Sequence, residues 1–267
     1  MVINFLWYWN RAAEICPNWQ DGLRAALMEL GKKHTVNILL GEFEPLDDAD
    51  FLLFWGDSNC PFFDKIDKYI AKKGIILTTD PVNWNNLRKL DVVYCESQPI
   101  YDQVRTHGLH AVRAFGTDSD FYIPTQVQKD IKYFYPATFS PWKRQSAIAH
   151  LGKELVCIGT VQPDGERERH TCDDTGVIVL EGYLNPGVIR DCYNRAQYVP
   201  IPAIHGSERT CLEAMSMNIV PSVNPKNVRT LSFVEEYIHS EFNTPREFIL
   251  ANYSPQIYAK NLEKGML

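Results

Sequence analysis

Short apolar runs alternate with longer stretches of mixed polarity over most of the chain, the rhythm expected of strands that feed helices. Strand-like runs lie at 2–7, 35–40, 51–55, 74–78, 92–95 and 111–115, with helical patterns among them at 20–33, 62–73 and 99–107. A second series places strands at 131–135, 154–158, 177–180, 198–201 and 219–223, and helices near 141–151, 186–195 and 208–217. This alternation predicts the α/β class, with parallel sheets covered by helices on both faces. Eleven such runs are many for one doubly wound sheet, so two Rossmann-like domains are expected. The break falls at the polar stretch Pro124-Thr125-Gln126-Val127-Gln128-Lys129. From Val228 onward the pattern is helical, interrupted at Pro245 and Pro255, because proline cannot continue a helix that precedes it.

A chain of 267 residues with 45% apolar content can bury one large core or two modest ones. Its 27 basic and 33 acidic residues leave a mildly acidic surface, which excludes a molecule-wide electrostatic grip on nucleic acid. Seven cysteines without a Cys-x-x-Cys pair argue against a disulfide framework and against a zinc site. The first residues lack a basic leader, and no run of about 18 apolar residues occurs. Neither a secretion signal nor a transmembrane span is expected, and a reducing cytoplasm is the expected setting.

The stretch His205-Gly206-Ser207-Glu208-Arg209-Thr210-Cys211-Leu212-Glu213-Ala214-Met215 lies between two apolar strand-like runs. A loop of small residues here opens directly into a helix, whose first backbone N–H groups suit a phosphate. Glu213 lies about a turn further in, where a carboxylate can bond ribose hydroxyls. The plain alternative is an ordinary loop-to-helix junction of an α/β domain.

With Ala214-Met215 and the proline-containing strand that follows, this stretch resembles the donor-sugar loop of retaining glycosyltransferases of the GT-B fold, family 4. Further passages are similar to that family in the same order. They are Asp91-Val-Val-Tyr-Cys-Glu-Ser97, Phe115-Gly-Thr-Asp-Ser-Asp-Phe-Tyr-Ile-Pro124, Tyr135-Pro-Ala-Thr-Phe-Ser-Pro-Trp-Lys143, Gly182-Tyr183 and Arg195-Ala196. The resemblance spans roughly residues 90 to 225 and implies a GT-B-like fold, two Rossmann-like domains with parallel sheets facing a central cleft. It implies an acceptor domain at 1–124, a nucleotide-sugar donor domain at 125–244 and a helical tail at 245–267 that packs back on the first domain. The implied activity is a hexosyltransferase that moves a sugar from a nucleotide-diphosphate sugar to an acceptor hydroxyl with retention of anomeric configuration.

The resemblance also assigns roles. Lys143 matches the family's phosphate-binding Lys, while its Arg, five residues earlier, is replaced by Thr138; Arg144 or Arg209 is expected to supply that charge. Gly206, Ser207, Arg209, Thr210 and Cys211 would surround the phosphate oxygens, Glu213 the ribose, and Tyr183 the nucleobase. The family's sugar-binding Glu, eight residues before Glu213, is His205 here, with Glu208 a displaced carboxylate. Asp80 ends a strand where the family often carries a His near the reacting sugar; an Asx turn before Pro81 explains it equally. On the acceptor side, Asp57 follows another strand at the edge where ligands bind parallel sheets. Trp9, Asn10 and Trp19 suit stacking on a sugar or flat ring.

A nicotinamide dehydrogenase is disfavoured because no glycine follows the first strand before Gly22, and no P-loop sequence is present. Asp48-Ala-Asp50 and Asp118-Ser-Asp120 lie in the wrong contexts for a metal-binding Asp-x-Asp, so no metal ion and no cofactor are expected. A non-catalytic nucleotide-sugar-binding protein of the same fold is the competing reading. The acceptor is left open among glycan, lipid, small molecule and a modified DNA base.

Overall fold

The computed structural model describes residues 1–7, 21–40, 48–182 and 185–267. It divides into two compact units, Met1–Gly116 with Pro255–Leu267, and Thr117–Ser254.

The first unit carries a six-stranded parallel sheet in the order β2-β1-β3-β4-β5-β6, with β1 Val2–Trp7, β2 Thr35–Leu40, β3 Phe51–Gly56, β4 Lys72–Leu77, β5 Val92–Cys95 and β6 Ala111–Arg113. β3 and β5 read as continuous apolar runs because both sheet faces are covered. One face holds Phe5, Phe51, Leu53 and Tyr94 under the helices Gly22–Leu30 and Pro255–Met266; the other holds Leu52, Phe54, Ile75 and Val93. The Pro255–Met266 helix buries Tyr258, Ala259, Leu262 and Met266 at helical spacing, and its Leu262 carbonyl accepts the buried Tyr94 hydroxyl at 2.8 Å.

The expected helix at 62–73 is instead two 3-10 turns, Pro61–Asp64 and Ile66–Lys68. Lys72 and Lys73 pair with Phe51 and Leu52 in the sheet, which leaves too few residues for a full helix.

The second unit has a four-stranded parallel sheet, β10-β7-β8-β9, formed by β7 Ile131–Pro136, β8 Leu155–Gly159, β9 Ile178–Glu181 and β10 Ala196–Tyr198. A parallel pair, β11 Pro200–Ile201 and β12 Ser222–Val223, accompanies it. This unit begins at Thr117, ahead of the polar stretch at 124–129, because residues 117–122 are tied within it. The Thr117 amide donates to Tyr253 O, Ser216 Oγ donates to Tyr122 O, and Arg246 donates to Ser119 O and Tyr122 O.

The tail therefore divides: Pro245–Asn252 lies in the second unit, while Pro255–Met266 lies in the first. A helix at 141–151 is replaced by a turn and two 3-10 segments, Gln145–Ala147 and Ala149–Glu154. Arg144 is left-handed (φ 55°), and the Gln145 side chain donates to the Ala137 and Thr138 carbonyls. The helix Glu166–Asp174 escapes periodicity, since Cys172 is its one apolar residue; it is held by the buried Glu168, which accepts from Ser146 N and Oγ at 2.7 and 3.0 Å.

Gly159 has no room for a side chain: a Cβ there would lie 2.2 Å from Ala137 O. That close approach seats the strand after β7 beside the strand after β8, and Phe139 pairs with Val161.

Candidate functional site

The site lies in the second unit, at the start of the helix Glu208–Ser216. Gly206 and Ser207 are both left-handed, with φ of 68° and 77°. Two such residues in succession turn the chain sharply from the loop after β11 into the helix. The Gly206 carbonyl accepts Asn227 Nδ2 and Thr230 Oγ1, each at 2.8 Å, so the turn is fixed from the helix Val228–Ile238 and its cap.

Ser207 occupies the N-cap position but makes no side-chain bond to the helix amides. Its hydroxyl lies 3.0 Å from Lys143 Nζ and 3.3 Å from the Tyr135 hydroxyl, and Lys143 Nζ also donates to the His205 carbonyl at 3.3 Å. Tyr135 in turn donates to Lys143 O at 3.3 Å; burial raises its phenol above the ordinary range. A Cβ on Gly206 would stand 2.6 Å from Lys143 Nζ, so only glycine leaves the ammonium this place. The Lys143 charge and the positive end of the helix thus act at one point, where an anion such as a phosphate is favoured.

The other expected donor-side residues have distinct surroundings. Thr210 Oγ1 donates to Pro136 O at 3.0 Å, anchoring the first helical turn to the end of β7. Cys211 is fully buried and its thiol is pushed up by burial, so its side chain belongs to the core and only its backbone is available.

Glu213 is buried; its Oε2 accepts the Tyr193 hydroxyl at 3.1 Å and its Oε1 lies 3.6 Å from Nε of the exposed Arg209. Burial, then the Glu213 charge, raises the Tyr193 phenol well above its ordinary value.

Glu208 turns inward: its Oε1 lies 2.7 Å from Nε of Arg229, both side chains being buried. As a displaced sugar-binding carboxylate it is therefore engaged, and Arg229 is the reason. Thr138 offers its carbonyl to Gln145 Nε2 at 2.9 Å. Arg144 is half-buried beside Lys143. The His205 ring packs edge-on against the Trp142 indole at 5.6 Å.

Tyr135, Trp142, Tyr193, Arg229 and Thr230 were not legible as site residues. Tyr135 reads as a strand residue, Tyr193 as a core position of its helix, and Arg229 as a helix-surface cation.

In the first unit, Asp57 and Asp80 follow β3 and β4 at their carboxyl ends and are exposed. Asp57 Oδ1 accepts the Asn59 amide at 2.7 Å, an Asx turn. Their loops are stitched together by the buried Ser58, whose Oγ accepts the Val82 and Asn83 amides at 3.0 Å. Trp9, Asn10, Trp19 and Tyr183 lie outside the described residues.

Of the Asp-x-Asp pairs, Asp50 accepts the Val2 amide at 2.7 Å and Asp118 the Phe121 amide at 3.0 Å, both backbone roles. Among the described residues no group of three His, Cys, Asp or Glu is placed to hold a metal, and no helix is long and apolar enough to cross a membrane.

No protein-family model and no curated protein matches the sequence. Solved structures do. AviGT4, a glycosyltransferase involved in avilamycin A biosynthesis, superposes with a TM-score of 0.57 at 13% identity, over 100% of this chain and 97% of that one. The apo structure of OtsA gives a TM-score of 0.59 at 9% identity, over 99% and 98%. The fold is that of the GT-B glycosyltransferases. A UDP-forming α,α-trehalose-phosphate synthase from Burkholderia xenovorans is similar over 83% of this chain and 74% of its own, with a TM-score of 0.52 and 11% identity. Within this GT-B chain the Lys143–Ser207 pair and the Glu208 helix lie wholly inside the second unit.

Proposed function

We propose that this protein is a glycosyltransferase that moves a sugar from a nucleotide-diphosphate sugar to an acceptor hydroxyl, with retention of anomeric configuration and without a metal ion. The observation that carries the reading is the placement of Lys143 Nζ 3.0 Å from Ser207 Oγ at the start of the Glu208 helix. When a glycosidic bond to a diphosphate breaks, negative charge grows on the departing oxygens. A fixed ammonium and a helix N-terminus aimed at one point stabilise that charge without reorganisation. The GT-B fold over the full chain, and the name of one structural neighbour as UDP-forming, agree with a nucleotide donor.

In this reading Glu213 binds the ribose hydroxyls with the acceptor capacity that Tyr193 leaves it. Arg209, on the first turn and exposed, supplies the second cation that Thr138 does not. Asp80 in the first unit assists the acceptor proton. The described cysteines are free and buried, which fits the reducing cytoplasm as the compartment.

The test is thermal unfolding with UDP, GDP, ADP and their common sugar conjugates in the presence of EDTA, followed by assay of donor hydrolysis. A ligand at about 100 times its Kd stabilises by roughly 2.7 kcal/mol. A shift with one nucleotide, lost in Lys143→Ala, together with metal-free hydrolysis lost in Glu213→Ala, supports the proposal. No shift with any of them overturns it. The engagement of Glu208 by Arg229 favours a second reading, a nucleotide-sugar-binding protein without turnover. Binding without hydrolysis or transfer selects that reading.

A further inference from the structure

Two donors converge on one carbonyl of the turn before the Glu208 helix. Asn227 Nδ2 and Thr230 Oγ1 each reach Gly206 O at 2.8 Å, and both residues are buried. A carbonyl oxygen has two lone pairs, so this one is filled. The two residues also hold each other, since Asn227 Oδ1 accepts the Thr230 amide at 3.3 Å and so caps the helix Val228–Ile238.

A trans peptide is planar, with its C=O and N–H pointing in opposite directions. Among the described residues no peptide bond is cis. The Gly206 carbonyl points at Asn227 and Thr230, so the Ser207 N–H points away from them. Among the described residues that amide has no acceptor, although Ser207 is buried, where a main-chain donor is ordinarily paired. The Ser207 hydroxyl does not claim the end of the helix either, since it is engaged by Lys143 and Tyr135 and makes no cap.

Glycine makes this arrangement labile. Position 206 excludes a side chain because Lys143 Nζ occupies its place, and glycine turns about its backbone bonds more freely than any other residue. A flip of the Gly206–Ser207 peptide would replace the amide with a carbonyl oxygen, which a phosphate, itself an acceptor, cannot bond. That flip also forfeits both bonds from Asn227 and Thr230.

We infer that Thr230 and Asn227 are positioning residues, which hold the Gly206 carbonyl and thereby aim the Ser207 amide as a donor to the diphosphate. The inference rests on the nucleotide-sugar reading above and adds to it the lock that keeps this peptide a donor. Both residues act through the peptide and not by touching the ligand. A donor fixed in advance stabilises the charge that grows on the departing diphosphate without reorganisation.

The experiment is calorimetric titration of wild type, Thr230→Val, Thr230→Ser and Asn227→Ser with UDP, GDP and ADP and with the matching nucleosides, beside urea unfolding of each variant. Thr230→Val keeps the shape and loses the hydroxyl, while Asn227→Ser keeps a helix cap and loses the amide donor. For the nucleotide that wild type binds, each should weaken the diphosphate about threefold to tenfold, as one hydrogen bond does, and leave the nucleoside within about twofold. Thr230→Ser retains the hydroxyl and should keep the diphosphate within about twofold of wild type. Unchanged diphosphate affinity in both Thr230→Val and Asn227→Ser overturns the inference. So does an equal loss for diphosphate and nucleoside, which assigns the two residues to general packing of the site. A loss in Thr230→Ser equal to that in Thr230→Val overturns it too. A wild type that binds none of the three nucleotides instead refutes the donor reading itself.

Discussion

Lys143 Nζ and Ser207 Oγ meet at 3.0 Å across 64 residues of sequence, and Gly206 makes that meeting possible. Gly206→Ala introduces a Cβ where Lys143 Nζ stands and forces a side chain into the left-handed region at φ 68°. The strain should cost about 1–2 kcal/mol of stability. Displacement of the ammonium should weaken nucleotide binding, by no more than the loss in Lys143→Ala, which is about tenfold or more for a charge-assisted bond. Chemical denaturation and titration with the bound nucleotide check the two effects separately. A variant that keeps full affinity would dissociate Lys143 from the phosphates.

The buried pair Glu208–Arg229 should be the most sensitive electrostatic contact of the second unit. Arg229→Ala leaves a carboxylate in the interior, so a loss of about 3–5 kcal/mol is expected. Replacing both partners, Glu208→Gln with Arg229→Met, should recover much of it. Urea unfolding of the two singles and the double measures the coupling; additive losses would show that the contact is not formed.

The last helix closes the core of the first unit. Leu262→Ala should cost about 2–5 kcal/mol through lost burial and the cavity left behind. Tyr94→Phe removes one buried hydrogen bond to the Leu262 carbonyl and should cost about 1 kcal/mol. Thermal unfolding checks both, and a silent Leu262→Ala would mean that the helix is not docked.

Alkaline pH should destabilise the protein. Burial raises the phenols of Tyr94, Tyr135, Tyr193 and Tyr258 above their ordinary value. Below about pH 10 these groups are protonated in folded and unfolded chains alike. Above it the unfolded chain loses protons that the native state retains, so stability falls as pH rises. Denaturant midpoints between pH 8 and pH 11 should therefore be flat and then drop above about pH 10. Tyr193→Phe should lessen the drop.

Sequence alone determined the α/β alternation and the central strands of the first sheet, because strands buried on both faces must be apolar along their whole length; the single run expected at 198–201 is instead divided between Ala196–Tyr198, an exposed edge strand, and Pro200–Ile201 in a separate pair. Sequence also determined the loop-to-helix junction at Gly206 and the prolines that divide the tail, since these follow from local backbone chemistry. Tertiary structure decided the rest. The segments at 62–73 and 141–151 became 3-10 turns because strand pairing and side-chain bonds to distant carbonyls outweighed local helix propensity. The helix Glu166–Asp174 formed on a buried carboxylate that no periodicity announces. The surroundings of Glu208, Trp142 and Lys143 depend on which distant residue each one meets, Arg229, His205 and Ser207. A charge in a sequence reads the same whether it faces water, an ion pair or a substrate, and only the fold fixes its distance to a partner.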